Sequence, residues 1–224
     1  MKIIISGYGK MGKELEKELK CHKLYIVSPE TMTSFNDIKE QVDLIIDFSV
    51  PSVIHQIKKF IEKQHECSLI LGTTGYKENE ESVIKDISNK HKVFKSSNFS
   101  KGMNIYFLLI DRLNSLDLKT SEISLIETHH VTKIDKPSGT ALKISNKLNR
   151  DIKIESIRDK DNIGIHDLSL KFDDEEILIK HIAYSRKCFV NGVIDLIDKI
   201  DKFPIGLYLE EEIENGKRRN NQDD

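Results

Sequence analysis

A chain of 224 residues, 38% hydrophobic and 32% charged, can supply one large folded domain or two modest ones and reads as a soluble globular protein. Its 35 basic and 37 acidic side chains leave a formal net charge of -2, which speaks against electrostatic capture of nucleic acid or of an anionic membrane. Cys21, Cys67 and Cys188 are odd in number and far apart, so neither a disulfide framework nor a structural zinc site is expected and a reducing cytoplasm fits. The run Ile3-Ile4-Ile5 is too short for a signal-peptide core, and no apolar stretch is long enough to span a bilayer.

The first hundred residues alternate short apolar runs with amphipathic helical patterns. Strands are expected at Lys2 to Ser6, Leu24 to Val27, Leu44 to Phe48, Ser68 to Leu71 and Val93 to Ser96. Helices are expected at Met11 to Lys20, at Pro51 to Lys63 with proline in the first turn, and at Glu78 to Asn89. This alternation predicts a parallel sheet covered on both faces. After Ser100 the pattern changes. A long helix is expected over Asn104 to Leu116, a strand over Ile123 to Thr128, a polar loop, and a helix over Thr140 to Asn149. From Ile152 to Ala183 strands dominate, and their alternation predicts an open, largely antiparallel sheet with one wetter face. Asn191 to Ile200 returns to helical spacing, and Asn215 to Asp224 reads as a disordered tail.

Chemistry enters at the first strand-to-helix turn, Gly7-Tyr8-Gly9-Lys10-Met11-Gly12. G-x-G-x-x-G in this place suits a dinucleotide: Gly7 for a tight turn, Gly9 for close approach of a pyrophosphate, Gly12 for helix–strand packing, and a helix N-terminus for the phosphates. The plain alternative is a glycine-rich turn with no ligand. Glu30, just past the second strand, is either the acidic residue that takes the ribose hydroxyls or an exposed turn carboxylate. No arginine follows to meet a 2′-phosphate, which leans towards NADH. Gly72-Thr73-Thr74-Gly75 follows the fourth strand and is either crevice lining or an ordinary turn.

The most informative stretch runs from Glu127 to Ala141. His129, His130 and Lys133 leave a strand and lead into Pro137-Ser138-Gly139-Thr140, a strong helix start in which Ser138 caps and the amides of Gly139 and Thr140 are placed for an anion. Imidazole beside lysines suits a carboxylate substrate that must also receive a proton. The alternatives are a solvated charge run, surface histidines, or a metal site with His166; adjacent histidines without a cysteine or carboxylate pattern make no convincing metal set, so none is assigned.

The segment Glu127 to Ala141 resembles the signature E-x-H-H-x-x-K-x-D-x-P-S-G-T-A of the dihydrodipicolinate reductase family. Asp47-Phe48-Ser49, Gly72 to Gly75, Ser97 to Ser100 with Gly102 and Asn104, Ser185-Arg186 and Phe189 to Gly192 agree in order, so the resemblance covers nearly the whole chain. It implies an NADH- and/or NADPH-dependent reductase in lysine and diaminopimelate biosynthesis. It implies catalytic roles for His129, the proton donor, and Lys133, and substrate contacts for His130, Ser138, Gly139 and Thr140. Cofactor contacts are implied for Gly7, Tyr8, Gly9, Lys10, Met11, Gly12, Gly72, Thr73, Thr74, Ser97, Asn98 and Phe99.

The implied fold is a Rossmann-type dinucleotide-binding domain, residues 1–102 and 187–224, plus an α+β substrate-binding and oligomerisation domain, residues 103–186, whose open mixed sheet builds a homotetramer. The chain is short for the family: the second strand is soon followed by the third, and the stretch between Arg158 and His166 is reduced. Lys136 stands where a small residue is common. Rival readings are another Rossmann amino-acid-pathway enzyme, such as an aspartate or homoserine dehydrogenase, or a non-catalytic nicotinamide-binding protein.

Overall fold

In a computed structural model, which describes residues 1–160, 162–209 and 213, the chain divides into two compact units. One comprises Met1–Phe99 and the chain from Phe189 onward, the other Ser100–Cys188.

Strands β1 (Lys2–Ser6), β2 (Lys23–Val27), β3 (Leu44–Asp47), β4 (Ser68–Leu71), β5 (Lys92–Lys95) and β10 (Gly206–Leu209) form the first unit's sheet, in the order β10-β5-β4-β3-β1-β2. Every pairing is parallel. Such a sheet has to be covered on both faces, which is why β1, β3 and β4 read as unbroken apolar runs. One face packs Ile3, Ile5, Leu44 and Ile46 against Leu15 of α1 (Lys10–Glu18) and against Val190 and Val193 of α6 (Lys187–Ile197). The other packs Ile4, Ile45 and Leu69 against Ile54 and Ile57 of α2 (Ile54–Ile61) and Ile84 of α3 (Glu78–Ser88). Between β2 and β3 only a three-residue 3-10 helix, Phe35–Asp37, intervenes, in keeping with the trimmed connection seen in the sequence.

The second unit is a four-stranded sheet, β7-β6-β8-β9, with β6 at Glu122–His129, β7 at Lys153–Arg158, β8 at Gly164–Lys171 and β9 at Glu176–Ala183. Its inner face packs Ile123, Leu125, Leu168 and Leu170 against Met103, Tyr106 and Ile110 of α4 (Lys101–Asn114) and Ala141 and Ile144 of α5 (Gly139–Leu148). The expectation of a largely antiparallel sheet holds for β6, β8 and β9, but β7 joins β6 in parallel. The cause is α5: a helix between two strands carries the chain back to the end where the first strand began.

Strand β10 was not legible at all, being four residues with a glycine at its start and a charged run beyond it. The tail expected over 215–224 lies outside the described residues. Among the described residues no helix is long and apolar enough to cross a membrane.

Candidate active site

Chemistry-bearing residues gather at two places, one in each unit. In the first unit they stand at the carboxyl ends of the parallel strands. Gly7 leaves β1 with φ +93°, and a Cβ there would meet the carbonyl oxygen of Phe48 at 2.5 Å. A Cβ on Gly12 would stand 2.1 Å from the carbonyl oxygen of Gly7, so these two glycines are required by packing alone. Gly9 is different. Nothing lies within 4 Å of where its Cβ would be, and it is exposed. Its backbone opens onto the first turn of α1, which has no side-chain cap and no acidic residue. A bare helix N-terminus beside an open glycine fits a pyrophosphate. Tyr8 is turned aside to Glu16, 2.6 Å away, and the exposed Glu30 pairs with Lys13 at 3.2 Å. Lys10 is exposed and Met11 packs on the core below.

Asp47, at the end of β3, has no exposed surface. Burial pushes its carboxyl above the usual range, against the hydroxyls of Ser49, Thr73 and Ser6 that hydrogen-bond to it. Thr73 Oγ1 donates to Asp47 at 2.6 Å and accepts from the Ser49 amide at 2.9 Å. Its hydroxyl is thus committed to joining the β3 and β4 loops, and any cofactor contact of Thr73 falls to its backbone. Gly72 carries the Phe48 ring at a distance no Cβ would allow. Phe99 is buried, edge-on to Phe48 with centroids 6.0 Å apart, while Thr74, Gly75 and Ser97 are exposed and Asn98 is half-buried. Two cavities, of about 430 and 660 Å³, lie elsewhere, the first lined by Phe35, Lys59 and Phe60, the second at the opposite end of the strands by Cys67, His91 and Ile200.

In the second unit, strand register does the assembling. Side chains two apart on a strand share a face. On the inner face Ile154, Leu125, Leu168 and Ile179 form one cross-strand row. The next row is Ser156, Glu127, His166 and His181, and beyond it Arg158 pairs with His129 and Gly164 with Ala183. The sheet face is therefore apolar in the core and turns titratable at its end.

Glu127 is fully buried. One of its oxygens accepts from Arg158 Nη1 at 2.9 Å and from the Ser138 amide at 3.3 Å; the other is bonded to His129 Nδ1. Burial would raise this carboxyl, but the hydrogen bonds from Ser156, Arg158 and His129 outweigh it and hold Glu127 below the ordinary range. The bond to Nδ1 leaves Nε2 of His129 for other work. Burial, helped by Lys133 and Arg158, pushes the imidazole below its ordinary pKa in spite of Glu127.

Lys133 Nζ pairs with Asp135 at 2.9 Å, and the other oxygen of Asp135 accepts from the Gly139 amide at 3.3 Å. The anion position at the head of α5 thus holds a carboxylate of the chain itself. Ser138 caps α5, accepting from the Ala141 amide at 3.2 Å, and is buried; Thr140 beside it is half-buried. His130 lies in the loop, its Nδ1 2.7 Å from Thr132 Oγ1. Among the described residues no group of histidine, cysteine or carboxylate side chains is disposed to hold a metal ion.

Sequence reasoning placed His129, Lys133 and Ser138 together but assigned no role to Glu127, Arg158 or Gly164. The available signal was the spacing of Glu127 and His129, two apart on a strand.

The model for the N-terminus of dihydrodipicolinate reductase matches residues 25–99, and that for its C-terminus matches residues 102–213. The chain belongs to the dihydrodipicolinate reductase family. It is therefore an oxidoreductase with a Rossmann-type unit for a nicotinamide cofactor. Among curated relatives, the 4-hydroxy-tetrahydrodipicolinate reductase of Thermosipho africanus is 34% identical over 94% of this chain and 95% of its own length. That of Wigglesworthia glossinidia brevipalpis is 33% identical over 90% of this chain and 78% of its own. The first pair are of nearly equal length.

In fold the chain is similar to a dipicolinate-bound dihydrodipicolinate reductase from Paenisporosarcina sp. TG-14, with TM-score 0.73 and 17% identity over 93% of this chain and 97% of that one. It is less similar to an aspartate dehydrogenase from Thermotoga maritima, with TM-score 0.52 and 14% identity over 92% and 99%.

Gly9→Val is expected to weaken NADH binding by about tenfold or more, equivalent to about 1.4 kcal/mol, with little change in thermal midpoint, since the space it enters is open. Fluorescence titration of NADH beside a melting curve reads both; unchanged affinity would mean that the turn serves structure only.

Proposed function

We propose that the chain reduces dihydrodipicolinate, formed from 4-hydroxy-tetrahydrodipicolinate, to tetrahydrodipicolinate in diaminopimelate and lysine biosynthesis. The observation that carries this reading is the buried Glu127–His129 pair, its Nε2 left for a substrate and a lysine two residues from the loop's carboxylate, in a member of this family. The domain split is assigned accordingly: the unit ending at Phe99 and resuming at Phe189 holds the cofactor, and the unit Ser100–Cys188 holds the substrate.

NADH or NADPH supplies a hydride. In the first unit the open backbone at Gly9 and the amides heading α1 take the pyrophosphate, and Gly72 to Thr74 with Ser97 to Phe99 border the rest. Glu30 accepts ribose hydroxyls. Lys13, already beside Glu30 in an exposed pair of small net worth, is the base available for a 2′-phosphate, so both cofactors are accepted.

Hydride addition to the unsaturated ring leaves negative charge that one proton must neutralise. His129 delivers it from Nε2, and Glu127 stabilises the imidazolium beforehand without itself taking the proton. Lys133, leaving Asp135, meets a substrate carboxylate and opposes the developing charge, with Gly139, Thr140, Ser138 and His130 completing the dicarboxylate contacts. His129→Gln and Lys133→Ala should each lower kcat by about 100- to 10,000-fold with NADH affinity retained, whereas His22→Gln should leave it unchanged. Coupled oxidation of NADH and NADPH with enzymatically generated substrate measures this; near-normal turnover of His129→Gln would sink the assignment.

A pH dependence follows. In the free protein burial and two cations keep His129 largely neutral near pH 7. A bound dicarboxylate adds negative charge beside it and raises its pKa, so binding takes up a proton. Calorimetry with dipicolinate in buffers of different ionisation enthalpy should show that uptake in the native protein and lose it in His129→Gln. No uptake in the native protein would place the donor elsewhere.

A cytoplasmic homotetramer is part of the reading. The outer face of the second unit's sheet exposes Ile126 on β6, Ile157 on β7 and Leu178 and Ile182 on β9, and a second copy of the same sheet is their cover. Light scattering at micromolar concentration should give about four times the 25.8 kDa chain mass; a monomer would detach assembly from this sheet.

A further inference from the structure

His166 is one of the most buried polar side chains of the second unit, 3% exposed, yet neither ring nitrogen has a hydrogen-bond partner among the described residues. A neutral imidazole carries one donor and one acceptor, and leaving each unanswered costs about 1–3 kcal/mol. Packing alone would be met at lower cost by a phenylalanine or leucine, the kind of residue that fills the next rows of the same face. The position is therefore not explained by the core.

Its surroundings point one way. His166 stands in the cross-strand row between Glu127 and His181, and its ring is edge-on to that of His129, with centroids 5.3 Å apart and planes at 75°. The open side of Gly164 lies between the two rings. The point where a Cβ would stand is 3.2 Å from His129 Nε2 and 3.8 Å from Cε1 of His166. Cε1 is the carbon flanked by both ring nitrogens. Cε1 of His166 and Nε2 of His129, the nitrogen that Glu127 leaves free, thus border the same space, and a glycine keeps it clear.

We propose that His166 is a positioning residue for His129: its neutral ring borders the cleared space at Nε2 and offers an acceptor nitrogen to the proton that His129 carries, which orients the imidazole and favours its protonated form. The inference rests on the reading of His129 as the proton donor. His166 is suited to the task because it stays neutral. Burial, with the charges of His129 and His181, pushes it down to about 3, so it contributes a dipole and no second positive charge. The other groups around the pair are Glu127 on β6, Arg158 on β7, Lys133 and Asp135 in the loop and His181 on β9. Of these only Glu127 reaches His129 in a hydrogen bond, and it does so at Nδ1.

The sign follows from this arrangement. His129 works when protonated, so activity declines as pH rises through its pKa in the complex. His166→Phe keeps a ring of similar size and removes both nitrogens, which lowers the His129 pKa and moves that decline to lower pH. His166→Asn restores a polar edge.

The test is the pH profile of kcat for the native protein, His166→Phe, His166→Asn and His129→Gln, with NMR titration of the His129 ring and NADH affinity as controls of folding. The expected result is a His129 titration and an alkaline limb both shifted down by about one pH unit in His166→Phe, a difference of about 1.4 kcal/mol. In His166→Asn the shift should be smaller, and NADH affinity should be unchanged in both. If His166→Phe binds NADH but leaves the His129 titration and the limb where they were, His166 is core packing and the proposal is overturned. If both variants lose turnover equally with no shift, the role is again structural and the proposal fails. If His129→Gln itself keeps its turnover, the donor assignment fails first, and this proposal with it.

Discussion

A carboxylate with no exposed surface must be answered from every side, and Glu127 is where the second unit's design is decided. Taken alone, its burial would force it to hold a proton. Three elements prevent that: the Arg158 guanidinium from β7, the His129 ring from its own strand and the Ser138 amide from the head of α5. Each of these bonds also fixes the element that provides it. The β6–β7 pairing, the entry into α5 and the tautomer of His129 are thus tied to one side chain. Removing a single partner from such a buried ionic cluster typically costs about 3–5 kcal/mol, because the remaining charge stays buried.

The first unit contains an instructive contrast in Asp47. It is equally buried, but its partners are hydroxyls rather than cations. Hydroxyl dipoles offset only part of the desolvation, so Asp47 is driven towards its protonated form while Glu127 is kept ionised. Two inaccessible carboxylates in one chain therefore have opposite electrostatic characters. Asp47 ties the β3 and β4 loops together through Ser49 and Thr73. Glu127 is a carboxylate held ionised behind the His129 ring.

Much of this was legible in the sequence because the signals were local. The glycine turn, the unbroken apolar strands and the Ser138 cap each depend on a few neighbouring residues, and each forms where the pattern placed it. What was not legible depends on register. Nothing in the sequence aligns Glu127 with His166 and His181; that row exists only once β6, β8 and β9 are paired. Arg158 marked merely the start of a shortened stretch, yet the parallel β6–β7 pairing sets it beside His129. Likewise the two roles of glycine in one motif, packing at Gly7 and Gly12 and openness at Gly9, separate only when the neighbouring backbone is in place.

On the reading proposed for Lys133 and Gly139, Asp135 gives substrate binding an unusual starting condition. Its carboxylate already spans Lys133 and the first amide of α5. An arriving anion therefore enters an exchange, carboxylate for carboxylate, and gains only the margin by which its fit exceeds that of the resident. Such a contest is nearly neutral in charge, so it is buffered against ionic strength and turns away small anions that bring charge without shape. It favours a rigid molecule with two acidic groups at a set separation: the second group engages partners that Asp135 cannot reach and supplies the margin the first one lacks.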